Sequence, residues 1–378
     1  MGSNTICKYT VMDESFPGIT FDNQNICDLY WDFQKNIKPY WNPSSKTYDD
    51  LNKMIDRIKL DGKNNDYDCL LGISGGIDSS YLLHTVVNDF NLRPLVFHVD
   101  GGWNSEEATH NINALINKLN LDLFTEVIDW NEMRNFQLAL FKSGVPHLDI
   151  PQDMAFISTL YKFANKHKIK YIMNGGNVST ESITTPFKYF YWGTDMTQIR
   201  DILKQFGEIE MKTYPFTSIY YHKIFLRYFK RIKVVKPLNF INYNILDAVK
   251  ILTEKYNFKT YKQKHFDSKF TKFYEGYWLP ERFKYDVRRN QYSSLIISGQ
   301  MKREDAIKKL SKSSLDTVEI KQEFNFICNK LEISNKELSK YFDLPKKYYW
   351  DYKNEKLLFD IGEKILFYLT KTRRGGAL

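Results

Sequence analysis

The residues best suited to chemistry form one short run, Ser74-Gly75-Gly76-Ile77-Asp78-Ser79-Ser80. It follows an apolar run ending at Ile73. It precedes apolar residues at helical spacing: Leu82, Leu83, Val86, Val87 and Phe90. Two glycines let a backbone approach a ligand with no Cβ in the way. A helix that starts here points unpaired N–H groups, and the positive end of its dipole, into the loop. The hydroxyls of Ser74, Ser79 and Ser80 add donors, and the whole suits phosphate. No Gly-Lys-Ser/Thr follows at Walker A spacing, and the G-x-G-x-x-G fingerprint is absent. Asp78 would repel a bare phosphate. Its expected task is to bond loop N–H groups or to help hold Mg²⁺.

The elements that position this run read as strands alternating with helices. Residues 68–73, 94–99, 121–128 and 171–173 have strand character, and helical spacing recurs over 79–90, 108–119 and 155–164. Asn104 or Ser105 would cap the second of these helices. Such alternation implies an α/β fold with a parallel, doubly wound sheet. Ligands of such sheets lie beyond the carboxyl ends of the strands, which singles out the loops after Ile73, Val99 and Met173. Three segments are expected: an irregular N-terminal stretch over 1–45, the α/β domain over 46–235, and a mostly helical, basic and aromatic domain over 236–378. Within the last, Ile333 to Leu338 contains a capping box.

The 378 residues carry 54 Lys and Arg against 45 Asp and Glu, a net +9 that suits an anionic partner without naming one. A hydrophobic share of 43% excludes wholesale disorder. Four cysteines do not make a disulfide scaffold. No apolar run reaches spanning length and the N-terminus lacks signal-peptide order, so a soluble cytoplasmic protein without membrane contact is expected.

The run SGGIDSS resembles the PP-loop, S-G-G-x-D-S, of the N-type ATP pyrophosphatases. Further stretches are similar to the bacterial N-acetyl sugar amidotransferases, the family of the pseudaminic acid (PseA) and O-antigen (WbpG) type. They are His98 to Asn104, Asp149 to Asp153, Asn174 to Ser182 and Lys264 to Arg289. The resemblance implies an adenine nucleotide alpha hydrolase-like fold and ATP with Mg²⁺. It also implies conversion of an acetamido group to an acetamidino group. In that reaction the amide oxygen takes AMP from ATP, and ammonia then displaces the AMP. The sugar would be of the pseudaminic or legionaminic acid type, or a nucleotide-linked diacetamido uronic acid.

Carried over position by position, Ser74, Gly75, Gly76, Asp78, Ser79 and Ser80 match the pyrophosphate loop. Asp100 and Gly101 close the second strand near the adenosine, although Asp100 could equally cap a helix. Gly175, Gly176 and Asn177 close the fourth strand near nucleotide and acceptor. Asp78, Ser79 and Asn177 are the expected catalytic residues. Lys264, Arg282, Arg288 and Arg289, in a segment rich in aromatics, are the expected contacts to an acidic or nucleotide-linked sugar.

The family commonly has four cysteines where this chain has Cys7, Thr10, Cys27 and Tyr30. Two thiolates fall short of a structural zinc site, and no metal is expected there. No cysteine has the setting of a glutaminase nucleophile, so a separate glutaminase subunit is expected to supply ammonia. Nucleic acid is not expected as a partner. Two rival readings remain at this stage. One is a tRNA-modifying enzyme of the same superfamily, a thiolase or an amidating type. The other is a nucleotide-binding regulatory module without catalysis.

Overall fold

The computed structural model describes residues 5–370. Five strands form one sheet: β1 (Cys69–Gly72), β2 (Pro94–Asp100), β3 (Leu123–Val127), β4 (Tyr171–Met173) and β5 (Lys233–Val235). Their order is β3-β2-β1-β4-β5, and every pairing is parallel. This is the expected α/β class. β5 is an edge strand of three residues with Lys233 and Val234 exposed, so it lacks the fully buried apolar pattern that marks β4.

Alternation along the strands sends side chains to two faces, and both are apolar. Cys69, Leu71, Ile73, Val96 and Met173 pack on one side with Leu82 and Leu83 of the Ile77–His84 helix, Leu115 of Glu106–Leu119 and Leu252 of Ile245–Tyr256. Leu70, Leu95, Phe97 and Ile172 pack on the other with Leu160 and Ala164 of the Ile150–Lys166 helix. The Ile150–Lys166 helix begins five residues before the apolar pattern does, because Pro151 is well suited to a first helical turn. Ser105, rather than Asn104, caps the Glu106–Leu119 helix, accepting from the Ala108 N–H at 3.0 Å. The chain runs outward from β1 to β2 and β3, then crosses back to β4 on the far side of β1. That reversal opens a crevice at the carboxyl ends of β1 and β4.

A third core joins all three expected segments. It holds Cys7, Met12 and Phe16 from the N-terminal stretch, Met133, Phe136 and Phe141 from the Trp130–Ser143 helix, and Phe270, Trp278 and Tyr285 from the C-terminal part. Polar ties reinforce it. Arg303 donates to the carbonyls of Cys7 and Thr10 at 2.9 Å each, and Arg289 donates to Val11 O at 2.7 Å. Arg289 also pairs at 2.7 Å with Asp13, which is buried. Arg289→Ala would remove this guanidinium from the buried Asp13 carboxylate. The expected cost is roughly 2–4 kcal/mol, measured as a lower denaturation midpoint with faster proteolysis of the N-terminal stretch.

Candidate active site

β1 delivers the Ser74 to Ser80 loop to the crevice. Gly75 has φ +84°, and a Cβ there would lie 2.6 Å from Ala108 O, so glycine is required. Its carbonyl accepts from Asn111 Nδ2 at 3.2 Å and from the Tyr261 hydroxyl at 2.9 Å, which fixes the turn from behind. Gly76 begins the Ile77–His84 helix without any side-chain cap, so the first turn keeps its N–H groups directed into the crevice. The hydroxyls of Ser74 and Ser79 stand 3.3 Å apart across the mouth of the loop. The loop after β4 closes over them. Gly175 comes so near that a Cβ would sit 3.1 Å from Asp78 C and 3.2 Å from Ser79 N.

An ion cluster lies beside the loop. The Lys264 ammonium donates to Asp78 Oδ2 at 2.9 Å, Glu181 Oε1 at 2.7 Å and Thr180 Oγ1 at 3.0 Å. Tyr243 donates its hydroxyl to the other oxygen of Asp78. Burial would pull the Lys264 ammonium down, but Asp78 and Glu181 outweigh it and hold it above the ordinary lysine range. Asp267, which lines the cavity beside Gly76 and Ser74, is raised by burial.

A cavity of about 680 Å³ opens on this cluster. Its lining includes Ser74, Gly76, Asp78, Ser79, Gly101, Gly175, Gly176 and Lys264. Phe156, Leu160 and Val99 supply an apolar wall. Another stretch of the lining is acidic and polar. There Asp149 accepts from Thr271 Oγ1 at 2.7 Å and from Gln152, and Glu275 holds His265 Nδ1 at 3.0 Å. Burial, then the charge of Asp153, pushes Asp149 up to about 7. Burial lowers His265, but Glu275 overrides it and raises the imidazole to about 9. His98 also lines the cavity. Its Nδ1 bonds Ile73 O at 2.8 Å, which makes that nitrogen the donor and leaves Nε2 to accept from Asn104 at 2.9 Å.

The remaining sequence-predicted residues fall elsewhere. Ser80 is fully buried beneath the loop, and Asp100 turns back to accept from the Gly102 N–H at 2.8 Å. Asn177 caps the short Val178–Glu181 helix through Thr180 N at 3.0 Å and ties Gly175 O at 3.1 Å. It therefore shapes the β4 loop and does not face the cavity. The three arginines, expected to contact the sugar, do not meet at a site. Arg282 is buried, donating to the carbonyls of Phe342 and Leu344. Arg288 is held by Asp286 at 2.6 Å, and Arg289 ties down the N-terminal stretch. Buried guanidiniums with several carbonyl or carboxylate acceptors are structural braces. Cys7, Thr10 and Cys27 do converge. The Cys27 N–H donates to Cys7 Sγ at 3.2 Å, Thr10 Oγ1 lies 3.7 Å from Cys27 Sγ, and Tyr30 stacks on Tyr9. All four cysteines are buried, and none lines the cavity.

The sequence did not point to Tyr243, which no spacing relates to the loop, and Asp267 stood in the Lys264 to Arg289 stretch without a role. Asp149, Gln152 and Glu181 stood in stretches that carried the resemblance, but without a role.

Fold and site together define a doubly wound α/β protein with a phosphate-type loop at its switch point. Residues 267–366 match the family model described as "LPS biosynthesis protein WbpG-like, C-terminal domain". The resemblance to WbpG-type proteins is thus borne out over that stretch. No curated protein matches the chain. Among solved structures, the chain is similar to an NH3-dependent NAD synthetase from Campylobacter jejuni, at 16% identity over 80% of this chain and 98% of that one, with a TM-score of 0.29. It is similar to an NMN synthetase from Francisella tularensis, at 13% identity over 60% and 99%, with a TM-score of 0.29. It is also similar to the U34-tRNA thiolase NcsA from Methanococcus maripaludis, at 12% identity over 73% and 88%, with a TM-score of 0.31. Among the described residues no helix is long and apolar enough to cross a membrane.

The raised Asp149 predicts a pH dependence. Between its ordinary value and about 7 the folded protein holds a proton that the unfolded chain has released, so stability falls as pH rises through that window. His265 adds a loss between its ordinary value and about 9, again because the folded form binds the proton more tightly. Thermal melts should therefore show a lower Tm at pH 8 than at pH 5. Asp149→Asn, which can still accept from Thr271, should shrink that difference.

Proposed function

We propose that this chain is an ATP-dependent amidotransferase that releases AMP and pyrophosphate. Its substrate would be an acidic or nucleotide-linked sugar of a bacterial surface glycan, whose acetamido group becomes acetamidino. The observation that carries the reading is the uncapped helix start at Gly76 with the facing hydroxyls of Ser74 and Ser79. It is supported by the WbpG-like match over 267–366.

The residues fit a magnesium-bound triphosphate. Helix N–H groups and serine hydroxyls donate to phosphate oxygens. Asp78 and Glu181 are hard oxygen ligands of the kind Mg²⁺ takes, and they exceed the single Lys264 charge between them by one formal negative charge. Mg²⁺, when bound, would neutralise charge on the phosphates. Lys264 can then turn from the carboxylates to the phosphates. The apolar wall of Phe156 and Leu160 has the character to take a purine, and Asp149, Gln152 and Thr271 can bond the sugar.

In the reaction the acetamido oxygen forms a bond to the α-phosphorus of ATP and pyrophosphate leaves. Ammonia then adds to the imidate carbon. AMP departs with the former amide oxygen, and two protons are released from the ammonia nitrogen. The chain's own work is positioning and charge stabilisation. With no cysteine on the cavity, ammonia would come from a separate glutaminase or from solution.

The test incubates the protein with candidate sugars, ATP, Mg²⁺ and ammonium, and follows products by mass spectrometry. AMP, pyrophosphate and a sugar lighter by about one mass unit are expected, and ADP in place of AMP would overturn the proposal. Asp78→Asn and Lys264→Met should each lower kcat by roughly 10²-fold or more.

A further inference from the structure

Between residues 211 and 246 the chain has seven Lys and Arg and no Asp or Glu. The middle of this stretch is the π-helical segment Tyr221–Phe229, followed by β5 at the sheet edge. Leu226 and Ile232 anchor it in the core under the Ile150–Lys166 helix. The outward side carries Tyr221, Ile224, Phe225, Tyr228 and Phe229, with Phe229 as much as 73% exposed. Tyr221 stacks on Phe225 at 5.4 Å and Phe225 on Phe229 at 5.7 Å, making a continuous apolar ridge. Lys230, Arg231 and Lys233 flank it, all exposed, and Lys230 Nζ lies 6.0 Å from the Phe225 ring. The ridge adjoins a second apolar face. Tyr220 meets Phe359 at 5.8 Å, and the Lys356–Thr370 helix there exposes Leu357, Leu358 and Ile361.

We infer that this ridge is a docking surface for an anionic membrane. The proposal is independent of the reaction above. An exposed apolar area of this extent marks an interaction site. The surface is a ridge whose rings project outward, the shape that inserts between headgroups. Rings with a polar tip favour the membrane interface, and flanking Lys and Arg pair with acidic lipid. The complete lack of acidic residues over this stretch gives the charge complementarity that commits the proposal to an anionic surface. It departs from the sequence-based expectation of no membrane contact. That expectation rested on the lack of a spanning segment, whereas this contact is peripheral.

Flotation with phosphatidylcholine vesicles, with and without phosphatidylglycerol, tests the inference on the full chain. Wild type should float with the anionic vesicles, and much less so at high salt. Lys230→Glu with Lys233→Glu should weaken binding at least about tenfold. Phe225→Ser with Phe229→Ser should do the same at any salt. Both double variants should keep the wild-type far-UV circular dichroism and ATP affinity. Two results would overturn the inference. One is no flotation of wild type, or equal flotation of wild type and variants. The other is a dimer in sedimentation velocity that the Phe225 and Phe229 changes abolish.

Discussion

One ammonium group holds the site together. Lys264 reaches Asp78 in the first turn of the Ile77–His84 helix and Glu181 at the end of the Val178–Glu181 helix, 186 and 83 positions away in the chain. Taking a lysine out of water is costly, and the cost is met here because two carboxylates and a hydroxyl surround it. Tyr243 completes the arrangement by bonding the second oxygen of Asp78. The carboxylate that would otherwise repel phosphate from the loop is thereby oriented and compensated.

That arrangement depends on how closely the two loops approach. Gly175 lies against the Asp78–Ser79 peptide, and Gly75 lies against the backbone of the Glu106–Leu119 helix. A side chain at Gly175 would push apart the segments that Lys264 bridges, and one at Gly75 would push the loop off the Glu106–Leu119 helix. The sheet sets the stage, since reversal of direction between β1 and β4 leaves a gap at their carboxyl ends that no crossover covers. The C-terminal part then fills the cavity's rim. Asp267 lines the cavity beside Gly76, and Thr271 and Glu275 build the acidic stretch where burial pushes Asp149 up to about 7.

Much of this was legible from residue order. β1, β2 and β4 are apolar runs between helical stretches, β3 lies in a stretch rich in Leu, Phe, Thr, Val and Ile, and the loop lies where strand pattern gives way to helix pattern. Lys264 was expected to contact the sugar, and it instead bridges Asp78 and Glu181 beside the loop. Arg282, Arg288 and Arg289 share its segment and its charge, yet serve as braces, because each found backbone carbonyls or a carboxylate inside the protein before it could reach the cavity. Asn177 shows the same limit. Its type and position after β4 suit either a cap or a ligand contact, and the bond from Thr180 N makes it the cap.

By itself the sequence determined the class of sheet, the phosphate-type loop and the helix that opens from it, since strand period, helix period and glycine placement are local properties of the chain. Only the tertiary structure decided which charges face the cavity. A lysine or arginine takes the acceptor that folding brings nearest. Which acceptor that is depends on packing between Tyr243, Glu181 and Lys264, or between Arg289 and Asp13, across distances in sequence that no local pattern records.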